Sequence, residues 1–139
     1  MDHKNQIVQH AKRNFWNYLD IEVHSAKEDD IRLIIEIDSN AWAGSGIIPG
    51  DPNKQNNNGK YLAEFLKQNK NVTLVNALPI CQGLITRKIK SDCLNEKSIL
   101  DLFIVCDCIL PFVTKMNVDV NGENQLTNFK GISHREKAT

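Results

Sequence analysis

The sequence predicts an α+β domain or a layered α/β sandwich, and three observations predict it. A stretch near the N-terminus repeats its apolar residues with a helical period. Residues 31 to 37 form an apolar run of strand length. Beyond residue 70 come several short β-like segments with no helical pattern between them. A regular βαβ array would alternate the two kinds of element.

Residues 5 to about 28 read as the first helix, because Ile7, Val8, Ala11, Phe15, Tyr18 and Leu19 recur at three- and four-residue steps. Glu28-Asp29-Asp30 is a polar connection. Ile31 to Ile37 is the first strand, and its apolar residues on both faces predict a central strand covered on each side. Residues 38 to 58, DSNAWAGSGIIPGDPNKQNNN, are rich in Gly, Asn and Pro and read as a long loop. Loops of that length inside a domain are usually functional. Asn58 is the expected N-cap of a helix from Gly59 to Gln68, with Leu62, Phe65 and Leu66 on its apolar face.

Three β segments follow, at Val72 to Asn76, Leu84 to Arg87 and Ser98 to Cys106. Alternation along the last puts Ile99, Asp101, Phe103 and Val105 on one face and Leu100, Leu102, Ile104 and Cys106 on the other. Residues 107 to 112 predict a short turn of helix. Lys115 to Val120 predicts a strand, and Asn121-Gly122 a hairpin turn into Gln125 to Phe129. The tail from 131 to 139 has no apolar anchor and reads as frayed.

The chain's 139 residues suit one domain or a large piece of one. Its 17 basic and 17 acidic residues cancel, so nothing in the net charge demands a polyanionic partner. A nucleic-acid site would have to be local. The best such patch is Arg87-Lys88-Ile89-Lys90, with Lys54, Lys60, Lys67 and Lys70 as further donors. No apolar run reaches bilayer length; the longest, 99 to 113, is broken by Asp101, Asp107 and Pro111. The first ten residues lack the apolar core of a signal peptide. The expectation is an intracellular protein, cytoplasmic or nuclear, without a membrane partner. Cys81, Cys93, Cys106 and Cys108 form no Cys-x-x-Cys pair and are expected to be reduced, partly buried thiols.

The candidate chemistry gathers at strand ends. Asp38 and Asn40 leave the first strand together, where α/β proteins place reactive groups. A carboxylate can hold a hard cation or take a proton, and an amide can donate to a phosphate oxygen. Asp101 interrupts an apolar strand, and a buried charge there needs a partner or a task. Thr86 and Arg87 read equally as contacts to a phosphate and as an exposed strand-end pair with no such role. Trp16 and Trp42 read as packing residues, and His3, His10 and His24 as surface residues.

Asp38-Ser39-Asn40-Ala41 resembles the Asp-x-Asn motif of the endonuclease/exonuclease/phosphatase superfamily. Residues 98 to 118, SILDLFIVCDCILPFVTKMNV, look like its second acidic strand followed by a Leu-Pro turn. GKYLAEFL (59 to 66), VTLVNALPICQGLITR (72 to 87) and LTNFKG (126 to 131) are similar to the endonuclease domains of retroelement endonuclease–reverse transcriptase polyproteins. The likeness runs from about residue 15 to 130. It implies the C-terminal half of the four-layer DNase I-like sandwich, and magnesium-assisted hydrolysis of phosphodiester bonds in DNA. By that likeness Asp38 orients or deprotonates the attacking water, Asn40 holds the phosphate, and Asp101 orients a catalytic histidine. Departures accompany it. The family's Gly before Asp-x-Asn is Ile37 here. No counterpart of its N-terminal half, with the metal-binding glutamate, is visible. Its Ser-Asp-His is also missing, since His134 lies in Ser-His-Arg. The chain alone is therefore expected to be weak or inactive, and either to self-associate or to need the missing half. A non-catalytic binding module is the alternative.

Overall fold

The structure, a computed structural model, describes residues 3–92 and 95–119. It is a mixed α+β arrangement: two α-helices and small separate sheets among the described residues. Helix α1 spans His3–Glu28. Its buried stripe is Trp16, Leu19, Val23 and Ala26, the three- and four-residue spacing that puts side chains on one face. Lys27 sits in its last turn, where a cation complements the helix dipole. The helix ends in a Schellman turn. Ile31 N–H donates to Ala26 O, Asp30 N–H donates to Lys27 O, and Asp30 takes a left-handed φ of 53°.

Strand β1, Ile34–Asp38, follows, then the loop, then helix α2, Asn57–Gln68. The cap of α2 is Asn56, not Asn58. Asn56 has the extended backbone of a cap, and its side-chain oxygen accepts from Gly59 N–H at 2.7 Å. Asn58 lies inside the first turn, buried, and accepts from Trp16 Nε1 at 2.7 Å, which ties α2 to α1. A Cβ on Gly59 would stand 1.8 Å from Trp42 O, so only glycine lets the loop backbone pass this close.

The remaining strands are β2 (Val72–Leu74), β3 (Cys81–Gln82), β4 (Arg87–Lys90), β5 (Asn95–Ser98), β6 (Asp101–Cys106) and β7 (Met116–Asn117). Short 3₁₀ turns occupy Val75–Ala77 and Leu110–Phe112, the latter within the helical turn expected there. The main sheet has the order β1-β6-β2 with both pairings antiparallel. Two pairs stand apart: parallel β3–β7 and the antiparallel ribbon β4–β5.

Several expectations are corrected. The central strand is β6, while β1 lies at the sheet edge among the described residues, with Ile34 54% exposed. The apolar composition of β1 is therefore only half used for burial. The single long strand expected at 98 to 106 is two elements, because the chain turns at Ile99 and Leu100 between β5 and β6. The basic run forms a strand of its own rather than ending one at Arg87. Cys106 and Cys108 are joined by a disulfide rather than reduced; the turn after β6 brings their Cα atoms to 5.3 Å, within bridging range. The hairpin at 121–122, the strand at 125–129, His134, Cys93 and the tail lie outside the described residues. Among the described residues no helix is long and apolar enough to cross a membrane.

The core lies on one side of the main sheet. Ile37, Leu102, Ile104, Val72 and Leu74 meet Trp16, Leu19, Val23, Leu62 and Phe65 there. Trp16 and Phe65 rings pack at 5.6 Å between centroids. The other side carries Ile34, Glu36, Asp38 and Asp101, all exposed, with half-buried Phe103 and fully buried Val105.

Candidate functional site

Two of the residues singled out by sequence meet across this second face. Asp38 is the last residue of β1 and Asp101 the first of β6, and the register places them directly opposite each other. Ser39 N–H donates to Leu100 O at 2.8 Å, so the neighbouring pair 39/100 carries a ladder bond. Antiparallel pairs alternate, which makes 38/101 the non-hydrogen-bonded kind, with Cα atoms about 4.5 Å apart and side chains at their closest. Both aspartates are exposed. Asp101 is thus not the buried charge its apolar neighbours suggest. It stands at the exposed end of a face that becomes buried along β6, through half-buried Phe103 to Val105, while Leu102 and Ile104 on the other face enter the core.

Glu36 and Phe103 form the next cross-strand pair. With Asp38, Asp101 and Met116 they line a cleft of about 360 Å³. Like charges directly opposite on a sheet repel. Carboxylate oxygens are hard donors suited to magnesium, which is commonly bound through one or two carboxylates and keeps several waters. The donor chemistry therefore fits that ion. Among the described residues no group of three or more acidic, His or Cys side chains is spaced to cage a metal.

The strand ends are fixed by side chains. Ser39 Oγ donates to Leu100 O and accepts from Ala41 N–H, each at 3.3 Å. Thr86 Oγ1 accepts from Leu100 N–H at 2.8 Å and from Asp101 N–H at 3.2 Å. Buried Asn76 works from the other strand edge: its Nδ2 donates to Asp101 O at 3.0 Å and its Oδ1 accepts from Phe103 N–H at 2.8 Å. The Asp101 backbone is held from both sides. Asn40 stands beyond the strand, exposed, and does not line the cleft. Asn56 Nδ2 donates to its carbonyl at 2.7 Å.

Thr86, a candidate phosphate contact, thus uses its oxygen lone pairs to place Asp101. Its hydroxyl proton is still free to donate elsewhere. Arg87 is exposed and opens β4 opposite Ser98. In the ribbon Lys88 is opposite Lys97 and Lys90 opposite Asn95. Arg87, Lys88 and Lys97 make this a basic ribbon, with Lys88 and Lys97 on one face and Arg87 on the other beside Glu96, and Thr86 joins it to the acidic cleft. The long loop braces it, since Asn53 Nδ2 donates to Lys97 O at 2.8 Å. The loop itself is ordered by Asp51, whose carboxylate accepts from Gly44 N–H at 3.0 Å and from Asn53 N–H at 2.9 Å.

Sequence reasoning missed Glu36, Asn76, Phe103 and Met116. Counting back by two from Asp38 finds Glu36, since alternate strand residues share a face. Nothing local marks Asn76, whose partners are 25 and 27 positions away. One thiol adjoins the site. Cys81 is the register partner of Met116 and donates to Gly83 O at 3.5 Å. Burial pushes its pKa above the usual thiol value, so at neutral pH it is a protonated thiol and a poor nucleophile.

Comparison of the chain with protein-family models, with curated proteins and with solved structures returns no match.

Proposed function

We propose that this chain carries a nucleic-acid phosphodiesterase site of the endonuclease/exonuclease/phosphatase kind, built on Asp38 and Asp101 and served by magnesium, with DNA as substrate. One observation carries the reading: two exposed carboxylates stand directly opposite each other at one end of an open sheet face, and a basic ribbon begins beside them. In phosphoryl transfer an enzyme mainly positions groups and offsets charge on oxygen. The parts serve that. Asp38 accepts a proton from, or orients, the attacking water. Asp101, its backbone held by Thr86 and Asn76, fixes the opposite wall. The Asn40 amide donates to a phosphate oxygen once a substrate brings it near. The ribbon's cations follow the phosphate backbone, which gives salt-dependent binding without sequence preference. Magnesium, when bound, supplies charge compensation for the phosphate oxygens.

The test is nicking of supercoiled plasmid in magnesium, with thermal melting of the same samples. Expected are a slow nicking activity in the wild type that disappears in Asp38→Ala, and a magnesium-induced rise in melting temperature that the variant lacks. Equal nicking by both proteins would assign the activity to a contaminant. Absence of both nicking and melting shift in the wild type would overturn the reading.

A further inference from the structure

The far end of β6 carries chemistry of a different kind. Cys106 closes the strand that Asp101 opens, roughly 17 Å away along it. It is bonded to Cys108. A disulfide stabilises a fold mainly by closing a loop of the unfolded chain, and more so for longer loops. This one joins residues two apart, so it constrains very little. Nor does the turn depend on it. Cys106 N–H donates to Leu33 O at 2.9 Å, Asp107 N–H to Asn71 O at 2.8 Å and Ile109 N–H to Cys106 O at 2.9 Å. Thr73 Oγ1 donates to the Asp107 carboxylate at 2.8 Å. These bonds hold the backbone whether the sulfurs are joined or not. A disulfide that adds little to the fold, and can open without disturbing it, is suited to redox exchange.

The two sulfurs are unequal. Cys108 is exposed and Cys106 buried. Leu33 N–H donates to Cys106 Sγ at 3.5 Å, and a donor bonded to sulfur favours its thiolate. Cys108 is thus the sulfur open to attack, and Cys106 the supported leaving group. Both line a cleft of about 170 Å³ between the end of α1 and the end of β6. Val23, Ala26 and Val72 give it apolar walls, and Asp30 and Asp107 outnumber its one cation, Lys27.

We propose that Cys106–Cys108 is a thiol–disulfide exchange site that oxidises a peptide dithiol with neutral or basic neighbours. One thiolate of the dithiol attacks Cys108 Sγ. The S–S bond breaks, its electron pair leaves on Cys106 Sγ, and a mixed disulfide to Cys108 forms. The second thiol of the dithiol loses its proton, attacks the substrate sulfur of that mixed disulfide and releases Cys108 as a thiolate. Two electrons and two protons have then passed from the dithiol to Cys106 and Cys108. Asp30 and Asp107 turn away an anionic thiol.

The test uses the full chain with Cys81→Ser and Cys93→Ser, so that only this pair reports. Alkylation followed by mass spectrometry reads its state, and circular dichroism of the same samples reads the fold. Dithiothreitol is expected to reduce the pair with the circular dichroism unchanged, and cystamine to reoxidise it. The Cys108 thiol left by Cys106→Ser reacts with iodoacetamide about tenfold faster than the Cys106 thiol left by Cys108→Ser, as access dictates. In Cys106→Ser, cationic cystamine forms the mixed disulfide about tenfold faster than anionic oxidised glutathione, and added salt narrows the gap. A pair that dithiothreitol reduces only as the fold is lost overturns the proposal. So does a Cys106 thiol as reactive as the Cys108 thiol, oxidised glutathione that matches cystamine at low salt, or a pair isolated as thiols that cystamine does not oxidise.

Discussion

The two faces of the main sheet use the same strands for opposite purposes. On the covered face Ile37, Leu102, Ile104 and Leu74 are buried against α1 and α2. On the open face the intervening residues of β1 are Ile34, Glu36 and Asp38, all exposed. The covered face gains its stability by excluding water. The open face spends some of it: two aspartates are set against each other and an isoleucine is left in solvent. Because alternate residues of one strand serve the two faces, the covered side chains hold the acidic ones in place. The difference teaches that the candidate site is rigid because of what lies beneath it, and that its residues can be changed without loss of the fold.

The largest expected effect tests that claim from below. Ile104 is fully buried on the central strand, and Ile104→Ala should cost about 3 kcal/mol, the usual scale for a large-to-small change in a packed core. Ile34→Ala, on the open face of the edge strand, should cost less than about 0.5 kcal/mol. Chemical denaturation of both variants measures the contrast. Near-equal losses would mean that the open face is covered in solution. Next comes Asn76→Ala. It removes the amide that bonds Asp101 O and Phe103 N–H, and should cost about 2 kcal/mol, because two partly buried backbone groups lose their partner. Any magnesium response should weaken with it, whereas Ile34→Ala should leave that response unchanged.

How much of this was legible in the sequence follows from how local each cause is. The helical period of α1 and the alternation in β6 are local, and both were readable. Asp38 was readable as a candidate because it ends an apolar strand, and Asp101 because it interrupts one. Their direct opposition was not, since register between strands more than sixty residues apart is set by packing. The edge position of β1 was misread for the same reason: apolar residues on both faces suit a central strand, and only the sheet order shows which strand has two neighbours. The cap of α2 was misplaced by two residues because three consecutive asparagines offer the same side chain, and backbone conformation selects among them. The bonds that Thr86 Oγ1 accepts from the backbone amides of Leu100 and Asp101 were not readable, since those partners lie 14 and 15 positions away.

The smallest expected effect is the most direct probe of the open face. Without divalent cations, Asp38 and Asp101 face each other as like charges, and like pairs directly opposite are destabilising. Neutralising one of them should therefore stabilise the protein, where most substitutions do the reverse. Asp101→Asn keeps the shape and the backbone bonds to Thr86 and Asn76, and should gain about 0.5 kcal/mol in metal-free buffer at low salt. The gain should shrink as ionic strength rises, because exposed charges are screened. In magnesium the order should reverse, with the wild type gaining stability and Asp101→Asn not, since binding to the folded state alone raises stability by mass action. Melting curves of the two proteins, with chelator and with magnesium, separate these terms. A variant less stable than the wild type in chelator would mean that Asp101 makes a favourable contact on this face. The carboxylate pair would then be a structural feature rather than a cation site.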